Sequence, residues 1–181
     1  MAWKKKKHGY QWSLGDTYNL AIGQGFTLCT PIQLARLMAV IASNGKLFVP
    51  KLIKSEPEYI QVAITQENIA IVQDALYHAI NSPGGTGYAS RLDSSQVTMS
   101  GKTGTAQVIA KKSSKDDLNR ESVGWASRNH AIFSGFAPSS DPRYVVSVYF
   151  DHAGAGGRAA APIAKKLLQD ALGVDGFNLH H

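Results

Sequence analysis

The sequence predicts an α+β fold, an antiparallel sheet flanked by helices on both faces. Three observations lead there. Segments near 30–45, 65–82 and 160–172 repeat apolar residues at spacings of three and four, as amphipathic helices do. Runs at 102–110, 131–136 and 143–150 have strand character. The connections on each side of the middle run suit three antiparallel strands in sequence order.

The composition bounds the alternatives. With 181 residues, 44% of them hydrophobic, and 17 glycines, the chain has room for one domain with a sizeable core. No window holds the roughly 18 apolar residues of a membrane-spanning helix, so the chain as given reads as soluble. The net charge of +6 is concentrated in lysine runs at 4–7 and 111–115. These are short solvated runs, whereas a nucleic-acid binder shows a basic stripe with interleaved aromatics, so no nucleic-acid partner is expected. The single Cys29 cannot form an internal disulfide and is expected to be a small buried apolar residue.

In chain order, the stretch from Trp3 to Trp12 is polar and aromatic without periodicity, and no regular element is expected there. An apolar cluster bounded by Gly15 and Gly25 reads as a short extended segment between tight backbone positions. Thr30-Pro31-Ile32-Gln33 is a helix start, with Thr30 as N-cap, Pro31 in the first helical position and Gln33 closing a capping box. That helix should bury Leu34, Leu37, Met38 and Ile41 and end at Gly45. After a strand-like stretch at 46–55, Thr65 caps a second helix with Ile69, Val72, Leu76 and Ala79 inward. The cluster Pro83-Gly84-Gly85-Thr86-Gly87 then turns the chain; an anion-cradling role is the rarer use of such a cluster.

Ser100-Gly101-Lys102-Thr103-Gly104-Thr105 crowds a cation, hydroxyls and bare backbone at the start of an alternating run, which suggests an anion and acyl site. Lys102 and Thr103 should point to opposite faces, and Gly104 should let another backbone approach. A phosphate-binding loop is excluded, since Gln96 stands where its first glycine belongs and no helix follows. The stretch at 111–122 is a charged loop. Asp141-Pro142 turns the chain into a last strand with both faces largely apolar, which should be covered on both sides. Gly154, Gly156 and Ala159 have dinucleotide-fingerprint spacing, but the second parallel strand of that fold has no room after them. A terminal helix from about 160, with Ile163, Leu167 and Ala171 inward, is expected instead.

Taken in order, Gly15-Asp-Thr-Tyr-Asn-Leu-Ala-Ile-Gly-Gln-Gly25, Thr30-Pro-Ile-Gln-Leu-Ala35, Lys102-Thr-Gly-Thr-Ala-Gln-Val108 and Phe136-Ala-Pro138 resemble the class B penicillin-binding proteins, and most of all their penicillin-binding protein 2 branch. The resemblance runs from about residue 9 to 172. It implies an incomplete transpeptidase fold of the penicillin-binding and serine β-lactamase type. The implied activity is D,D-transpeptidation, cross-linking peptidoglycan stem peptides, with β-lactams as acylating ligands and neither cofactor nor metal. The parent would be anchored in the bacterial inner membrane with this domain on the periplasmic side. Lys102 and Thr103 would be catalytic; Gly104 and Thr105 would bind substrate, the Thr105 amide as an oxyanion donor.

The family also needs a Ser-x-x-Lys nucleophile at a helix start and a Ser-x-Asn before Lys-Thr-Gly. Ser43-Asn-Gly-Lys46 lies at a helix end, where Gly45 breaks the turn and the helix dipole opposes negative charge. Ser127-Arg-Asn129 comes after Lys102. The expectation is therefore a fragment: 1–8 a basic lead-in, 9–173 the carboxy-terminal part of the transpeptidase domain and 174–181 a tail, with activity of the chain itself left open. Exposed edges would favour self-association. A noncatalytic scaffold binding peptidoglycan or a partner is the alternative.

Overall fold

The computed structural model describes residues 2–26, 28–94, 97–108 and 124–173. The chain runs through α1 (Ala2–His8), α2 (Leu14–Ala21), α3 (Pro31–Ala42), β1 (Lys46–Phe48), β2 (Tyr59–Gln61), α4 (Gln66–Asn81), β3 (Ser100–Ala106), β4 (His130–Ala137), β5 (Tyr144–Phe150) and α5 (Gly156–Leu172). β1 and β2 form a separate antiparallel pair, while β3, β4 and β5 form one antiparallel sheet in sequence order.

The register sorts the sheet into two faces, because directly opposed residues share a side. Lys102, Ser134 and Ser147 stand in one row, and Thr103, Phe133 and Val148 in the next row on the opposite face. Behind Thr103, α5 lays Ala160, Ala161, Ala164 and Leu168 against Ala131, Phe133 and Val148. On the Lys102 face, Met38 and Ala42 of α3 and Leu76 of α4 close over Phe136. Helices thus flank both faces, as predicted, although β5 is not covered on both sides as its apolar pattern suggested: Tyr144, Tyr149 and Phe150 are exposed at its ends. α5 approaches closely enough that a Cβ built on Gly156 would stand 2.2 Å from the Ile132 carbonyl oxygen and 2.3 Å from that of Gly104.

The start of α3 is built as its sequence implies: the Gln33 amide donates to Thr30 Oγ1 at 3.3 Å, and the Thr30 amide donates to Gln33 Oε1 at 2.9 Å. Thr65 likewise caps α4 through the Asn68 amide. Other expectations are corrected. Residues 2–8 form a helix, since Lys4 is buried against the Tyr10 ring and paired with Asp16 instead of lying in solvent. The apolar stretch after Gly15 is helical, because Ser13 and Asp16 make a capping box that starts α2. α5 begins at Gly156 and is turned so that its alanines face the sheet, leaving Ile163 and Leu167 45% and 50% exposed. Only an alanine stripe lets the helix sit that close.

Leu37 and Val72 are also exposed, and Ile80 is fully buried where Ala79 was expected. Cys29 is exposed, in the loop leading to the α3 cap beside the exposed Leu28. The strand-like stretch after Lys46 is a strand only as far as Phe48. The charged loop at 111–122 and the tail at 174–181 lie outside the described residues.

Candidate active site

Among the described residues β3 stands at the edge of its sheet, and chemistry gathers on its open side. The Lys102 ammonium donates to the Thr103 carbonyl at 3.0 Å and to Thr86 Oγ1 at 3.3 Å, with Thr103 Oγ1 at 3.5 Å. The Thr103 hydroxyl in turn donates to Thr86 Oγ1 at 2.9 Å. Strand alternation sends Lys102 and Thr103 to opposite faces, yet the lysine is long enough to curl around the edge and rejoin its neighbour. These partners of the ammonium are neutral oxygens, an arrangement suited to receiving an anion.

Thr86 is a residue that reading the chain element by element did not single out. It reaches β3 because the glycine cluster folds tightly over the end of α4, with the Gly87 amide donating to the Ala79 carbonyl at 3.0 Å. A Cβ built on Gly85 would lie 2.5 Å from that carbonyl oxygen, and one on Gly87 would lie 2.5 Å from Ile80 Cδ1. The clustered glycines beside a threonine were the available signal. A turn was expected there; its purpose is to carry a hydroxyl to the edge.

Gln24 also reaches the edge. Its Nε2 donates to the Thr105 carbonyl at 2.8 Å, and its Oε1 faces the Gln107 amide at 3.5 Å. Gly23 and Gly25, at φ of 71° and 76°, form the left-handed positions that flank it. The turn continues from α2, whose start is held by Asp16. There the Lys4 ammonium and the Ser13 hydroxyl and amide bond the carboxylate and lower its pKa to about 2, the lysine contributing most. Since Thr105 turns its carbonyl away from β4, the antiparallel pattern turns its N–H outward as well.

The backbone approach expected at Gly104 is made on the sheet face by Gly156. Next to the Ala106 end of the strand, Leu28, Cys29 and Pro31 face Ala106, Ile132 and Tyr149 across a cavity of about 410 Å³.

The two serine motifs are not brought to this edge. Ser43 Oγ lies 2.6 Å from the Ala39 carbonyl oxygen and 3.2 Å from that of Lys46, so its proton is held by backbone, while the Lys46 ammonium sits 5.0 Å over the Tyr59 ring. Asn129 is buried just before His130, which pairs with Ala106, four ladder positions from the Ser134 partner of Lys102. Among the described residues, no cluster of His, Cys, Asp and Glu could hold a metal ion.

Residues 3–169 match the family profile described as penicillin binding protein transpeptidase domain. The chain belongs to this family. It is 32% identical over 180 residues to the peptidoglycan D,D-transpeptidase MrdA of Salmonella typhimurium strain LT2, a match covering 92% of this chain and 29% of the relative. Among solved structures, penicillin-binding protein 2 of Helicobacter pylori, in its complex with MreC, superimposes with a TM-score of 0.77 at 26% identity, covering 97% of this chain and 30% of that one. Penicillin-binding protein 2 of Pseudomonas aeruginosa gives 0.70 at 29% identity, covering 96% and 36%. The chain therefore spans about three tenths of the length of the curated relatives it matches. Its fold is that of penicillin-binding transpeptidases, and its kinship is with the penicillin-binding protein 2 group of class B.

Proposed function

We propose that this chain is the carboxy-terminal wall of a peptidoglycan D,D-transpeptidase site, presenting β3 as the edge on which a stem peptide or a β-lactam is laid. The observation that carries the reading is the convergence of the Lys102 ammonium with the Thr103 and Thr86 hydroxyls at the open side of β3. That trio receives the terminal carboxylate of the peptide. The outward Thr105 N–H then donates to the carbonyl under attack, a fixed dipole aimed at the oxygen where negative charge develops. Gly104 keeps the strand bare beside that carbonyl.

Acyl transfer also needs a serine with an adjacent base; the Ser43 hydroxyl is held by backbone carbonyls, and Ser127 precedes the His130 end of β4, which pairs with Ala106 and not with Lys102. In this reading the nucleophile and its lysine come from residues outside this chain, in a protein held at the periplasmic face of the inner membrane. The chain's own contribution is recognition of the peptide end and stabilisation of the oxyanion.

Titration of the isotope-labelled chain with diacetyl-L-Lys-D-Ala-D-Ala tests this. The expected result is a set of amide shifts at Thr86, Lys102, Thr103 and Thr105 that Lys102→Ala abolishes. Shifts confined to other surfaces, or unchanged by the substitution, would count against it. The uncovered apolar faces should also make the chain self-associate, which sedimentation across a concentration series measures; a monomer throughout contradicts that part.

A further inference from the structure

An edge strand offers its outward N–H and C=O groups to any extended chain laid beside it. On β3 the outward acceptor at Thr105 is already taken. The Gln24 side chain carries the same donor and acceptor pair as a peptide group, giving Nε2 to the Thr105 carbonyl at 2.8 Å and turning Oε1 to the Gln107 amide at 3.5 Å. It occupies the edge acceptor that an N–H of an added strand would take. The left-handed glycines on either side of Gln24 hold it there, as does the bond from its own amide to the Asn19 carbonyl at 2.8 Å.

The antiparallel pattern shows what this arrangement competes with. In a hydrogen-bonded pair of an antiparallel ladder, two opposed residues exchange both of their bonds. A peptide residue whose carbonyl accepts from the Thr105 N–H must therefore offer its own N–H to the Thr105 carbonyl, the oxygen that Gln24 occupies. We propose that Gln24 is a specificity-determining residue that sets the footprint of a peptide on β3 by competing with that N–H. The inference rests on the reading of β3 as a peptide-binding edge. It means that a ligand is selected by its carboxylate and its reactive carbonyl, and gains little from continuing as a paired strand past Thr105. Long extended segments are thereby disfavoured relative to short peptide ends.

The test compares three proteins, the native chain, Gln24→Ala and Gln24→Met, with two ligands. One ligand is diacetyl-L-Lys-D-Ala-D-Ala. The other is its analogue with an ester in place of the Lys–D-Ala amide, which lacks the competing N–H. Affinities come from titrations followed at the β3 amides. Removing a competing hydrogen bond should tighten binding of the amide peptide about three- to tenfold in both variants. The ester analogue should bind all three proteins equally. Gln24→Met keeps the side chain's length without its amide, so an equal gain there separates competition from a change of shape. Equal affinity of the amide peptide for all three proteins overturns the competition, as does an equal gain by the ester. Weaker binding to both variants overturns it in favour of a scaffolding role. If neither ligand shifts β3 in any of the proteins, the peptide-edge reading falls, and this inference falls with it.

Discussion

Phe133 and Tyr18 belong to two differently built regions. Phe133 is fully buried between β3, β5 and the alanine stripe of α5. α2, which holds Tyr18, has no buried residue; its Leu14, Tyr18 and Leu20 are 65%, 64% and 47% exposed. Helices as short as α2 are marginal by themselves, so a capping box and one ion pair from Lys4 do for α2 what burial does for the sheet. One region is stable through packing, the other through a few polar contacts near its ends. The candidate site draws on both, since Lys102 and Thr103 stand on the sheet and Gln24 hangs from the end of α2.

The contrast sets an order of expected effects. Phe133→Ala should destabilise the chain by about 3–5 kcal/mol in urea unfolding, as truncation of buried aromatics does. Tyr18→Ala should stay within about 0.5 kcal/mol; similar losses at the two positions would erase the distinction. Gly156→Ala comes next, because its new methyl would meet the backbone of Ile132 and Gly104. A loss of about 1–3 kcal/mol is expected, and an unchanged midpoint would show that α5 can retreat freely.

Acid should act on the amino-terminal region first. The Asp16 carboxyl is held at about 2, below its usual 3.8, so it binds fewer protons folded than unfolded. Its contribution is complete above about pH 4 and is lost as the pH falls toward 2. Trp12 fluorescence should report a transition in that window, and Lys4→Met should remove it. An unaltered acid transition in the variant would mean that the ion pair is not what holds α2. The smallest expected effect is none at all: incubated with penicillin, the chain should show no covalent adduct by mass spectrometry. A stoichiometric adduct on Ser43 would show that its bonds to backbone carbonyls do not disable it.

Elements governed by a few neighbouring residues were legible in the chain. Thr30, Pro31 and Gln33 announce the start of α3 within four positions, and alternation announces β4 and β5. The Lys102 strand was also legible, though it begins at Ser100 and ends at Ala106, earlier than the apolar alternation suggested. α1 was missed because its helix leans on a lysine buried against aromatic rings, a contact that periodicity cannot register. Ser13 and Asp16 hold the signal for α2, a capping box that straddles Gly15 at the start of the glycine-bounded cluster and so does not stand out from its apolar pattern.

By itself the sequence determined the caps, the strand alternation, the grouping of Lys102, Thr103, Gly104 and Thr105 on one strand and the family resemblance, all of which are written in residues a few positions apart. Tertiary structure alone decided which stripe of α5 faces inward, since Ile163 with Leu167 and Ala160 with Ala164 are both helical repeats, and only the distance to the sheet selects the smaller side chains. It also decided the company of the edge strand. Thr86 lies 17 residues from Thr103 and Gln24 lies 81 residues from Thr105, and no local rule brings such pairs together. Those contacts form because the glycine turns after α2 and α4 are closed by the packing of the whole fold, and that closure is a property of the assembled layers, not of any stretch of chain.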